Sequence, residues 1–270
     1  MTSDNHLNAA EVAQLLSYIE DCDAIVIGGQ SIALWAEYFA SRNDALAAIG
    51  AVTSKDIDFF ADERAAAKFA DRLVNSVLKV PDAYAATPNA AVVVGNLNDR
   101  RIQIDFMATV LGVDEHDILD RFVTISGYFP NIDRVIDIAL LHPLDCVKSR
   151  LANINTLHRT DDHSLTQTKA SMLILDAFLQ EMVDQDQAKE VYRIAHEYAF
   201  ALKELYFDQT AYKVFGDQAD PIDVLRKLTG CDKLDARWRD ATLTSLISRT
   251  EKKQAVADKR MEASAARAAQ

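Results

Sequence analysis

The sequence is poor in glycine and poorer in proline. Its 270 residues hold 8 Gly and 5 Pro, and no Gly/Ser/Pro-rich stretch divides the chain. A flexible interdomain linker of that composition is therefore excluded. There are 3 Cys, and Cys22, Cys146 and Cys231 lie far apart with no CxxC pair. That excludes a disulfide framework and a thiolate zinc site, and fits a reducing cytosol. No run of about 18 apolar residues occurs, so no membrane span is expected. The N-terminal segment lacks the basic region and apolar core of a signal peptide, so the expected location is cytoplasmic. Internal repeats are absent, and so are the GxxxxGK[ST] and GxGxxG phosphate-binding loops.

What is present is a globular composition. Hydrophobic residues make up 49 % of the chain and the mean hydropathy is −0.08. A chain of this length buries a sizeable core in one large or two medium domains. The formal net charge is −12, and it is uneven. Residues 1–141 carry 10 basic and 21 acidic side chains, while residues 142–270 carry 19 and 20. So acidic a front half is a poor surface for nucleic acid on its own, because phosphate binding needs positive charge. It suits a divalent cation instead.

The two halves also differ in rhythm. Residues 7–20 read as an amphipathic helix, and residues 24–27 as a buried strand stopped by Gly28-Gly29. A helix follows over 31–42. Residues 55–61 alternate like a strand, and 62–78 read as a helix opened by an acid. Residues 90–94 and 100–110 form a hairpin pattern around Gly95-Asn96-Leu97-Asn98-Asp99. Short strands are expected over 121–126 and 134–140. After His142 the strand signals stop. Pro143 suits a first helical position, and Leu144, Val147, Leu151 and Ile154 form one helical stripe. Further helices are expected over 164–184, 186–206, 220–229 and 236–265. The expected class is α+β: a small mixed sheet with flanking helices over 1–141, then an all-α domain over 142–270.

Three segments of the front half carry candidate chemistry. Asp56 and Asp58, two apart in a strand pattern, would share one face about 6–7 Å apart. Like charges so placed repel, and a divalent cation compensates them. The alternative is a solvated strand edge. Asp105 sits on the polar face of a strand whose other face is Ile102, Ile104 and Phe106. It either completes a site for Mg²⁺ or Mn²⁺ with the first two acids, or pairs with Arg100, Arg101 or another basic residue on the sheet surface. Gly28-Gly29, between a strand and a helix, lets backbone approach a phosphate, and Ser31 adds a hydroxyl. The alternative there is a plain tight turn.

Strand, Gly-Gly turn, helix, a DxD strand and a later strand with one Asp together resemble the nucleotidyltransferase fold of DNA polymerase beta and its minimal relatives. The resemblance rests on Gly28, Gly29, Ser31, Asp56, Asp58 and Asp105, with residues 41–54 as an insert. Within that superfamily the chain looks most like the abortive-infection nucleotidyltransferase toxins of bacterial toxin–antitoxin systems, which carry a helical tail. The resemblance implies metal binding and catalysis by Asp56, Asp58 and Asp105. It implies nucleotide binding by Gly28, Gly29, Ser31 and Lys148. Arg159 with Asp161 or Asp162 falls near a second family motif, with Thr160 intervening. The implied activity is transfer of a nucleoside monophosphate from an NTP to a hydroxyl of tRNA, protein or a small molecule. A cognate antitoxin is an implied partner. Two rival readings remain: an antibiotic-modifying enzyme of the aminoglycoside type, whose acidic cleft would suit a cationic substrate, and a binding protein that keeps the fold without the chemistry. His158 and His163 around Asp161-Asp162 match no metal spacing, His142 reads as helix entry, and His116 as a solvated helix start. The tail from residue 249 holds six basic and three acidic residues, either a solvated helix or an arm for an RNA acceptor.

Overall fold

In the computed structural model, residues 7–50, 52, 54, 56–82, 84–207 and 220–268 are described. The chain divides into two compact units. One is Met1–Trp35 with Ala51–Ser149, and the other is Ala36–Gly50 with Arg150–Gln270. The first division after the sheet thus falls at 149/150 rather than 141/142, and residues 36–50 group with the later helices. Helices α2 (Gly28–Ala40) and α6 (Pro143–Leu157) contribute residues to both units.

The first unit opens with α1 (Ala9–Ile19). Asn8 caps it in a reciprocal box with Glu11, which satisfies two N-terminal N–H groups. Leu15, Leu16 and Ile19 form its buried stripe. The centre of the unit is one seven-stranded mixed sheet. Its strands in chain order are β1 (Ile25–Ile27), β2 (Asp58–Phe60), β3 (Val74–Lys79), β4 (Asn89–Leu97), β5 (Arg100–Met107), β6 (Val123–Phe129) and β7 (Arg134–Leu140). In space they run β3-β4-β5-β2-β1-β7-β6. β1 is antiparallel to β2 and parallel to β7, and β2 is parallel to β5. The β4–β5 hairpin turns through Asn98 and Asp99, both at positive φ, as a tight two-residue turn requires.

The expected helix over 62–78 is corrected. Helix α4 covers only Glu63–Ala70, and edge strand β3 follows. Asp62 caps α4 through the N–H groups of Arg64 and Ala65. The helix is closed at Asp71, and the strand that follows carries Val74 and Val77, β-branched residues that favour a strand over a helix. Phe69 of α4 packs on Phe59 of β2 and Phe106 of β5, with ring centroids 6.0 and 5.5 Å away. All three rings are fully buried, and burying one contributes about 1.5–3 kcal/mol. This cluster holds β2 and β5 by one face and leaves their other face to the polar residues. Helix α5 (Glu115–Arg121) links β5 to β6.

Every regular element described in the second unit is helical. They are α3 (Asp44–Ile49), α7 (Asp162–Asp184), α8 (Ala188–Phe207), α9 (Asp223–Leu228), a π-helical turn at Trp238–Leu243 and α10 (Thr244–Ala268), with the end of α2 and the second half of α6. Leu246, Thr250 and Ala257 form a buried stripe on α10, continuing from buried Leu243 in the π-helical turn. Trp238 stacks on Tyr192 of α8 at 4.2 Å. No described helix is long and apolar enough to cross a membrane.

Candidate functional site

The centre of the sheet brings three of the singled-out residues to one place. Ile27, at the end of β1, is the register partner of Asp58, and Asp58 is the partner of Asp105. Neighbouring strands lie about 4.8 Å apart, and register partners share a face. Asp58 and Asp105 are therefore side by side, each half-buried, opposite the face that carries Phe59 and Phe106.

Gly28 lies against this pair. Its φ is +66°, in the region that glycine adopts without strain. A Cβ added there would stand 3.1 Å from Asp58 Oδ2. Both the turn and the close approach thus require glycine. Gly29 follows in the first turn of α2, where backbone N–H groups lack intrahelical partners.

Asp105 is held by two amides. Its Oδ1 accepts from Gln103 Nε2 at 3.1 Å and from Asn89 Nδ2 at 3.4 Å. Among the described residues, no hydrogen bond reaches Oδ2. The alternative ladder pair with Arg100 is not what forms: Arg100 bonds Glu11 at 2.8 Å instead.

Other residues sit elsewhere than expected. Asp56 is exposed in a bend ahead of β2, with its carbonyl accepting from Ser54 Oγ at 2.8 Å. The expected strand over 55–61 is only three residues long: the ladder to β1 ends at Ile27, where Gly28 turns away, and the ladder to β5 starts only at Asp58. Asp56 and Asp58 therefore do not form a same-strand pair. Among the described residues, no three His, Cys, Asp or Glu side chains gather as cation ligands. What the fold assembles is the pair Asp58 and Asp105. That pair still fits Mg²⁺, which keeps several waters and takes one or two carboxylates plus substrate phosphates.

Ser31 is fully buried, with Oγ 3.6 Å from Cys146 Sγ. Its hydroxyl packs into the core, which corrects its place on the Gly-Gly rim. Lys148 has carboxylates for partners. Its Nζ lies 3.3 Å from Asp117 and 3.9 Å from Asp145. Asp145 is fully buried and takes a bidentate bond from Arg121 of α5. Burial pushes the Asp145 carboxyl above its ordinary value, against the opposing pull of Arg121 and Lys148.

In the second unit, Asp161 is the N-cap of α7, accepting from the N–H and hydroxyl of Ser164. Asp162 is the first residue of that helix, and His163 meets Gln167. These are helix-start contacts. His142 Nδ1 accepts from Leu144 N–H at the entry to α6, and His116 pairs with Asp120 within α5.

A cavity of about 870 Å³ opens at the opposite end of β1 and β2, lined among others by Ile25, Phe60, Ala65, Ala108 and Leu119. Neither Asp58 nor Asp105 lines it. Sequence reasoning passed over Asn89 and Gln103. Gln103 was detectable, two residues before Asp105 and so on its face; Asn89 carried no such signal. No family model, curated protein or solved structure matches this chain.

Proposed function

We propose that the chain is a metal-dependent nucleotidyltransferase that moves a nucleoside monophosphate from an NTP to an acceptor hydroxyl on tRNA, protein or a small molecule. In this reading the mixed sheet is the head of a polymerase-beta-like fold and the later helices form an all-α tail. A role as the toxin of a toxin–antitoxin pair is part of the same proposal. The observation that carries it is the register of Asp58 with Asp105, beside a glycine at φ +66° whose added Cβ would crowd Asp58 Oδ2.

Asp58 and Asp105 would hold Mg²⁺, with Asp56 the nearest further acid in the chain. The ion supplies charge neutralisation on the phosphates and orientation of the attacking oxygen. Gly28 and Gly29 admit the triphosphate close to the backbone, and the free N–H groups of α2 bond its oxygens. The acceptor oxygen attacks the α-phosphorus, and the bond to the β-phosphate oxygen breaks in line. Asp105 takes the hydroxyl proton, and pyrophosphate leaves. Lys148 would join the phosphates only by leaving Asp117.

The test is label transfer from each α-³²P-NTP, with Mg²⁺, to tRNA, lysate protein and small-molecule pools. Asp58→Asn and Asp105→Asn are each expected to lower transfer by about 10³-fold or more while leaving the protein folded. Transfer that survives the double substitution would sink the reading.

A further inference from the structure

We infer that Asn89, together with Gln103, is a positioning residue that orients the Asp105 carboxylate for metal binding. The inference rests on the proposed reading of the site, and it concerns residues that reading does not use.

The ladder between β4 and β5 contains a bulge. β4 pairs with β5 so that Val92 faces Asp105 and Ala91 faces Phe106. Continued without interruption, that register would set Ala90 opposite Met107. Instead the register shifts between Asn89 and Ala91, and Asn89 takes the place opposite Met107. A single extra residue exchanges the faces of a strand. Asn89 is thereby moved from the face it would share with Ala91 to the face of Asp105. There its Nδ2 reaches Asp105 Oδ1 at 3.4 Å. The segment leading into it is fixed by two further bonds. Asn89 N–H donates to Thr87 Oγ1 at 3.3 Å, and Ala108 N–H donates to Pro88 carbonyl at 2.8 Å.

Gln103 approaches the same oxygen from within β5. It precedes Asp105 by two residues, shares its face, and donates from Nε2 at 3.1 Å. Two amides on one carboxylate oxygen remove the rotation of that group about its Cβ–Cγ bond. Oδ1 is occupied, and Asp58 is the register neighbour on the same face. Neutral donors do this without supplying a cation that would compete with a metal. Groups that hold a ligating carboxylate in this way govern metal affinity, and their loss weakens it by about 10–100-fold.

The experiment uses the full-length chain and Mn²⁺ alone, followed by electron paramagnetic resonance of the free ion, with folding checked by circular dichroism. Asn89→Ala is expected to weaken Mn²⁺ binding about tenfold. Gln103→Met, a near-isosteric change at an exposed position, is expected to weaken it in the same direction and guards against misfolding of the first variant. In label transfer, the Mg²⁺ activation constant should rise in both, while kcat at saturating Mg²⁺ returns to within about twofold of the parent. A purely structural role would not produce that split. If Asp105→Asn loses Mn²⁺ but Asn89→Ala and Gln103→Met bind it as the parent does, the positioning role is wrong and the site stands. If Asp105→Asn also binds Mn²⁺ like the parent, the site reading fails and this inference falls with it.

Discussion

Two carboxylates in the first unit, Asp105 and Asp145, are held by different chemistry. Asp105 is half-buried on a sheet face and takes its two bonds from the neutral amides of Asn89 and Gln103. Asp145 is fully buried at the start of α6, and its bonds come from the Arg121 guanidinium, with Lys148 3.9 Å away. The amides orient one carboxylate without pairing it with a cation. The guanidinium pairs with the other and ties α5 to α6. An acid oriented by neutral donors beside a second acid is poised for a ligand, whereas an acid matched to a buried Arg is part of the framework.

The comparison breaks most visibly if Arg121 is removed. Arg121→Ala leaves Asp145 buried without its guanidinium, and the expected cost is about 3–5 kcal/mol in urea unfolding. Replacing both partners with apolar residues, Arg121→Met with Asp145→Leu, should restore most of that loss, because the charges then disappear together. Mn²⁺ binding by the double variant is expected to equal the parent's. A double variant that loses Mn²⁺ would tie the two carboxylates into one site and dissolve the distinction.

Gly28→Ala is a smaller perturbation aimed at the other carboxylate. It forces an L-residue to φ +66° and places a methyl carbon 3.1 Å from Asp58 Oδ2. The expected cost is about 1–3 kcal/mol from the backbone alone. Displacement of Asp58 should lower label transfer more than thermal stability. Equal transfer by the folded variant would show that the glycine serves the turn and not the site.

How far the sequence announced these features depends on the residue. Strand β5 was legible because Ile102, Ile104 and Phe106 alternate with Gln103 and Asp105, and all three apolar residues are buried. Asp58 was legible for the same reason. Asp56 was not, since strand length depends on where pairing with the two neighbours β1 and β5 begins, and alternation within one segment carries no such information. Asn89 was hidden by its bulge, a property of the pairing of two strands. The phosphate role of Lys148 came from the resemblance alone, and its partner Asp117 carries no local signal, being one acid among several at a helix start. The grouping of residues 36–50 with helices more than a hundred residues later leaves no local trace at all.

The smallest expected effect separates a third kind of carboxylate from both. Asp62 caps α4 and is half-exposed. The N–H of Ala65 bonds its charged form, with Arg64 adding a second contribution, so its carboxyl lies below the ordinary value. The stability it contributes is therefore present above the unfolded value, near pH 3.9, and is lost as pH falls through the folded one. Asp145 has the opposite sign. Burial raises its folded value, so its contribution to stability declines as pH rises from the unfolded value through the folded one. Asp62→Ala should cost about 1 kcal/mol at pH 7. The difference from the parent should shrink as pH is lowered through the acid range, because the parent then loses the same cap. Thermal unfolding of both proteins across that range measures it. A difference that stays constant with pH would mean the cap acts through the helix geometry rather than through the charge on Asp62.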